Sequence, residues 1–224
     1  MTTNTQRDRQ HLAAQAAAAA ATTRRTRRVA VQIGAAVVVA TALLLFAFTR
    51  NSGTKKHTYA IGPTPAGSIA PPIRLASTQG ATFDLAAERG KSVLLYFQEG
   101  LGCQPCWDQI RDIEANANVF KAAGIDEVVS IAGNKLDQLR QKVEDEELHT
   151  TVLADPTLSL AATYKANQYG MMGTSAYGHT FILVGADGIV RWRADYGGSP
   201  NYTMYVKPAD VLKDLAAAQT KLAS

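Results

Sequence analysis

A nearly unbroken apolar run, Ser92-Val-Leu-Leu-Tyr-Phe97, leads into Cys103-Gln104-Pro105-Cys106, and a run with helical spacing follows. These are the only two cysteines of the chain. An all-apolar run of this length reads as a strand buried on both faces. Two thiols three residues apart at the start of a helix can close on each other. The unpaired N–H groups and dipole of the helix N-terminus favour a thiolate there. A structural staple is the competing reading. A four-residue loop removes little chain entropy, however, so such a staple adds little stability. The pair therefore reads as a redox centre. Cys103, first in the motif and nearest solvent, is the expected nucleophile. Cys106, one turn on, is the expected resolving thiol. Pro105 fixes φ in the first turn, where its missing N–H has no intrahelical partner to lose.

Other uses of C-x-x-C fail on named residues. A c-type haem site needs His where Trp107 stands. A zinc site needs about four ligands, and only His149 and His179 remain in the folded part. No metal and no cofactor is assigned.

Charge divides the chain. Residues 1–57 hold nine Lys/Arg and one acid, Asp8, a net of +8; residues 58–224 hold fourteen Lys/Arg and eighteen Asp/Glu, a net of −4. The basic character belongs to the N-terminal segment, and no aromatic-interleaved basic patch points to nucleic acid. Residues 29–49, VAVQIGAAVVVATALLLFAFT, carry no charge. At about 1.5 Å per residue they reach roughly 31 Å, close to the hydrocarbon thickness of a bilayer. Arg24, Arg25, Arg27 and Arg28 precede the run, which favours a cytoplasmic N-terminus. The expected organisation is a cytoplasmic tail over 1–28, a transmembrane helix over 29–49 as an uncleaved signal anchor, a linker over 50–72, and a folded extracytoplasmic domain over 73–224. A cleaved signal peptide is the rival, but the apolar run is long for one.

Within the domain, Ile73–Ala76 and Thr82–Leu85 read as a hairpin about Gly80. Residues 103–123 read as one helix, with Trp107, Ile110, Ile113, Ala117 and Phe120 on one face. Ile125–Ala132 reads as a strand, Asn134–Glu147 as an amphipathic helix and Thr151–Ala154 as a strand. Leu158–Ala166 follows as a helix. Thr180–Val184 and Ile189–Arg193 read as a hairpin turned at Gly185-Ala-Asp-Gly188, and Pro208–Leu222 as a terminal helix. The order indicates an α/β fold with a mixed sheet flanked by helices.

C-x-P-C between a buried strand and a helix, with the later Thr180-Phe-Ile-Leu…Asp187-Gly188 hairpin, resembles the thioredoxin fold. Ala70-Pro71, Gly80, Gly90-Lys91, Tyr96-Phe97 and Asp155-Pro156 resemble the AhpC/TSA redoxins, a branch that includes peroxiredoxins and membrane-tethered thioredoxin-like proteins. The likeness covers about residues 60–220. It implies a thiol–disulfide oxidoreductase acting on protein disulfides or a membrane redox partner. A peroxiredoxin-like peroxidase acting on peroxides through Cys106 or Cys103 is the alternative. A non-catalytic binding module is a third reading.

Two departures matter. Peroxiredoxins carry P-x-x-x-T-x-x-C. Counted from Phe97, Cys106 falls on the cysteine, but Cys103 replaces the threonine and Glu99 the proline. Thioredoxins carry a cis-proline before the Thr-Phe strand; Gly178 stands there, and a trans loop is expected. The resemblance places His179 beside the sulfurs, where it could stabilise a thiolate or move a proton. Glu99 could accept a proton from Cys106. Arg191 and Arg193 read as a charged outer sheet face, Met171-Met172 as a loop packed on the core, Trp107 as core, and Glu144–Glu147 as a solvated helix end.

Overall fold

The computed structural model describes residues 59–223. The tail at 1–28 and the apolar run at 29–49 lie outside the described residues. Among the described residues no helix is long and apolar enough to cross a membrane.

The chain runs β1 (Arg74–Ser77), β2 (Thr82–Asp84), β3 (Val93–Gln98), α1 (Gln104–Ala115), α2 (Ala117–Ala122), β4 (Glu127–Ala132), α3 (Leu136–Asp145), β5 (Thr151–Ala154), α4 (Ala161–Tyr164), β6 (Thr180–Val184), β7 (Val190–Asp195) and α5 (Pro208–Ala223). The strands form one mixed sheet in the order β2-β1-β5-β4-β3-β6-β7. β3 lies between parallel β4 and antiparallel β6. All six of its residues are buried, because both of its faces are covered. Leu94 and Tyr96 join Phe181, Leu183 and Trp192 under α1, α2, α3 and α5. Val93, Leu95 and Phe97 join Ile182, Val184 and Tyr164 on the α4 face.

Three expectations change. The single helix over 103–123 breaks at Asn116. Its side chain donates to the Asp112 carbonyl at 2.7 Å, and its N–H closes the first helix on Ile113 and Asp112, the local competition that makes Asn a poor mid-helix residue. The helix expected over 158–166 shrinks to α4. The buried Asp155 carboxylate captures the N–H groups of Ser159 and Leu160, both at about 3 Å, and Lys165 turns left-handed at φ 54°. The stretch read as linker is, from Tyr59 on, laid along β7. Ala60 and Asp195 exchange backbone bonds of 3.1 and 2.9 Å, and Gly67 and Ser68 bond Val190 at 2.8 Å. This segment covers what would otherwise be a sheet edge.

The parallel strands end where β6 begins. The Glu99–Cys106 loop, Asp155 and His179 therefore share one end of the sheet.

Candidate redox site

Cys103 is the N-cap of α1 and Pro105 lies in its first turn. The Cys103 N–H bonds the Gly100 carbonyl at 3.1 Å. Gly100 itself has φ 91°, a left-handed conformation that suits glycine and turns the chain from β3 towards the helix. Trp107 is fully buried and its indole N–H bonds the same Gly100 carbonyl at 3.1 Å. Strand, turn and helix start are thus locked together. Cys103 and Cys106 are joined as a disulfide with Cα atoms 5.3 Å apart. Cys103 is 7% exposed and Cys106 0%.

The cover over the sulfurs is Met204, which packs with both cysteines in a cluster of its own. It belongs to a strap over 197–206. The strap is fastened by Thr203 N–H to the Tyr196 carbonyl (3.0 Å), Val206 N–H to Gln109 Oε1 (2.7 Å), and the Tyr205 hydroxyl to the Asp112 carboxylate. No sequence signal ties residue 204 to residue 103. Gln109 had a faint one: it is polar, three residues after Cys106, on the face otherwise made of Trp107, Ile110 and Ile113.

His179 is fully buried. Tyr96 Oη lies 3.2 Å from its Nδ1, and its ring stacks edge-on to Phe181 and Tyr196. Burial pulls its pKa down to about 3, and a Met204 backbone group close by offsets this only in part. The imidazole is neutral at physiological pH, so it offers a thiolate no positive charge. Besides the Tyr96 hydroxyl, the polar group that faces the ring is the Met204 backbone. Tyr96 is held protonated, chiefly by burial and further by the charge of Glu99.

Glu99 is half-buried and not free. Its Oε1 accepts the backbone N–H groups of Met171 and Met172, so it anchors that loop. The Met171 and Met172 side chains point outward, 64% and 60% exposed, instead of packing on the core as expected. With both N–H groups tied to Glu99, the loop stands off the sheet. The loop at Gly178 is trans; Ser199–Pro200 is the one cis bond among the described residues. A Cβ on Gly178 would meet the Tyr169 carbonyl oxygen at 1.6 Å, so close backbone approach demands glycine here.

Arg191 and Arg193 do not share an outer face. Arg191 is exposed and pairs with Asp187. Arg193 is buried against Asp195, with Nε and Nη2 at 2.8 and 2.9 Å. The strand alternation was read correctly, but the covering segment was not foreseen. The Gly62 N–H reaches Asp195 at 2.7 Å, and the glycine leaves room for the guanidinium. Nor is Glu146 a solvated helix end. Its carboxylate takes Arg111 and Lys142, and Lys142, chiefly by hydrogen bonding, holds its pKa below the ordinary value. Gln104, between the cysteines, joins this network through Asp108, Glu146 and Lys142, each at 3.2 Å.

The AhpC/TSA family pattern matches residues 66–193. A Haemophilus influenzae protein named "Putative peroxiredoxin bcp" is 30% identical over 135 residues, 58% of this chain and 78% of that one. A similarly named Mycobacterium tuberculosis protein is 29% identical over 121 residues, 52% of this chain and 76% of its own. Among solved structures, the peroxidoxin BcpB of M. tuberculosis superposes with a TM-score of 0.56 at 16% identity, over 70% of this chain and 98% of that one. A reduced 2-Cys peroxiredoxin of Plasmodium vivax gives 0.58 at 19%, over 72% and 85%. These two structures establish the fold. The named relatives favour the peroxidase reading over the disulfide-exchange reading.

Proposed function

Since the chain belongs to the AhpC/TSA family, and so to the thiol-dependent oxidoreductases, we propose that it reduces hydroperoxides, with Cys103 and Cys106 as its dithiol/disulfide couple. The observation that carries this is the disulfide across the first turn of α1, in a chain whose named relatives are peroxiredoxins. By count from Phe97, Cys106 holds the place of the signature cysteine. Its thiolate attacks one peroxide oxygen. The O–O bond breaks, an S–O bond forms, and the other oxygen leaves as alkoxide or hydroxide and takes a proton from solvent. Cys103 then attacks the sulfenic sulfur, closing the S–S bond and expelling water. An external thiol or dithiol returns the couple to its reduced form by exchange.

Cys103 stands at the signature threonine, so a thiol, a weak donor, replaces the hydroxyl. The same substitution puts the resolving thiol in bonding reach of Cys106. Residues 29–49 serve in this proposal as a single transmembrane anchor, with the N-terminus cytoplasmic and the redox domain extracytoplasmic; the length and arginine flank of that run support it.

A second reading rests on one observation: Cys103 is the only one of the pair with any exposure. Attack by Cys103 on a protein disulfide would make it the nucleophile and Cys106 the resolving thiol. Full-length protein in detergent, as wild type, Cys103→Ser and Cys106→Ser, separates the two. Peroxide reduction predicts that Cys106→Ser abolishes peroxide consumption, while Cys103→Ser still reacts once. Exchange predicts that Cys106→Ser instead accumulates mixed disulfides through Cys103 and that peroxide consumption by wild type is negligible. Carbonate-resistant membrane association, lost on deletion of residues 29–49, tests the anchor.

A further inference from the structure

Cys106 is sealed, with 0% exposure, and Cys103 shows 7%. A sulfur that water does not touch is closed to any larger reagent, hydrogen peroxide and thiols included. The seal is Met204, itself 9% exposed, in the cluster it forms with the two cysteines.

The chain on either side of Met204 is tied down. Burial alternates over 203–206, with Met204 and Val206 inward and Thr203 and Tyr205 half-buried, the period of an extended chain. Val206 N–H bonds Gln109 Oε1 at 2.7 Å, and the Tyr205 hydroxyl donates to the Asp112 carboxylate. Gln109 and Asp112 both lie on α1, the helix that carries the cysteines. Thr203 N–H bonds the Tyr196 carbonyl at 3.0 Å, and the Met204 backbone faces the His179 ring. Tyr202, two residues before the seal, is different. It has φ 44° and is 48% exposed. A left-handed backbone is strained for an aromatic residue, so the strap yields most readily at this exposed turn.

Two grades of opening follow. Methionine is unbranched and flexible, so rotation of Met204 alone clears a path for a small reagent. A larger one needs the strap to leave α1, which breaks the hydrogen bond between Tyr205 and Asp112. We propose that Met204 is a specificity-determining residue of this site: it selects by size the reagents that reach the Cys103–Cys106 pair. The selection acts on the disulfide itself and so does not depend on which reaction the pair performs. Under the peroxide-reduction reading, the same residue limits which hydroperoxides meet Cys106.

The test is reduction of the disulfide in oxidised full-length protein in detergent, with 2-mercaptoethanol as the small thiol and glutathione as the bulky one. A thiolate attacks one sulfur of the pair, the S–S bond breaks and the other sulfur leaves as thiolate. A second thiolate then attacks the reagent's sulfur in the mixed disulfide and frees the second cysteine. Samples are quenched in acid and alkylated, and free cysteines are counted by mass spectrometry. Each rate is divided by that thiol's rate with a small exposed disulfide, and the ratio of the two quotients is the size discrimination. Wild type disfavours glutathione. Met204→Ala removes the cover and lowers the discrimination about tenfold. Met204→Leu, of similar volume, keeps it. Tyr205→Phe releases one fastening and speeds glutathione about fivefold, with 2-mercaptoethanol within about twofold of wild type. Absence of discrimination in wild type, or discrimination in Met204→Ala within about twofold of wild type's, overturns the assignment. Should Met204→Ala fail to fold, Tyr205→Phe carries the test, and acceleration of both thiols alike, or of neither, overturns it. Peroxide consumption is measured separately, so failure of the peroxide-reduction reading leaves this result standing.

Discussion

The two faces of the sheet, at the end where the redox pair sits, bury different kinds of polar group: charged carboxylate networks on the α4 face, neutral side chains on the α1 face. On the α4 face Asp155 accepts from Ser159 N–H (2.9 Å), Ser159 Oγ (2.9 Å), Leu160 N–H (3.0 Å) and the Tyr177 hydroxyl (2.5 Å). Asp195 accepts from both Arg193 nitrogens, Thr180 and Gly62. Arg193 Nη1, in a guanidinium lying 5.7 Å from the Tyr169 ring centroid, and Asn167 Oδ1, in the turn after α4, are left over. On the α1 face the buried side chains are neutral: His179 meets the Tyr96 hydroxyl and the Met204 backbone, and Gln109 accepts from Val206 N–H. Saturated groups hold a framework rigid. Thr180 and His179 are chain neighbours, yet Thr180 bonds Asp195 on one side and His179 meets Tyr96 on the other, because successive strand residues face opposite sides.

The largest effect expected is on the charged α4 face. Arg193→Met leaves the Asp195 carboxylate buried without its cation and should lower unfolding free energy by about 3–5 kcal/mol, read by urea denaturation. A loss under about 1 kcal/mol would mean that Asp195 is solvated and that the contrast between faces fails. Asp155→Ala strands Tyr177 and two N–H groups and should cost about 3 kcal/mol, with the peroxide rate per folded molecule unchanged. A matching fall in that rate would show that the two faces are coupled.

Next in size is acid sensitivity. Burial pushes the Asp155 pKa up, but its hydrogen bonds, led by Tyr177, outweigh this and leave it below the ordinary value. A depressed carboxylate contributes stability above its unfolded pKa of about 3.9 and loses it as pH falls through the lower folded value. Stability should therefore drop below about pH 4, and Asp155→Asn should flatten that drop. His179 titrates in the opposite sense. With its pKa lowered to about 3 by burial, the unfolded chain takes up a proton below about 6.5 that the folded chain refuses. His179→Gln should therefore remove a stability loss between about pH 6.5 and 4. The smallest effect is at the surface. Gln104→Ala removes exposed contacts with Asp108, Glu146 and Lys142 and should change stability by under about 1 kcal/mol.

What the sequence made legible is what local pattern controls. The β3 run, the glycine turn, the cysteines and the first turns of α1 are contiguous, so their arrangement follows from residues 92–113. Most elements follow likewise from apolar periodicity and Gly or Pro punctuation. The shortening of the helix expected over 158–166 was not legible, because a single carboxylate at Asp155 takes the N–H groups of its first turn. Nor were Met204 over Cys103, Val206 on Gln109 or Gly62 on Asp195, pairings of about a hundred residues' separation with no periodic signature. Glu99 and His179 were visible as candidates, but their roles turned on burial. One became a loop anchor and the other a buried, neutral imidazole.

The central claim is that Cys106 is the sulfur that meets peroxide. The direct measurement is made on full-length Cys103→Ser, reduced and given one equivalent of hydroperoxide in the presence of a sulfenic-acid trap, with the adduct located by mass spectrometry. The account predicts one adduct, on Cys106. Unconsumed peroxide and an unmodified Cys106, in a variant that is folded, would contradict it.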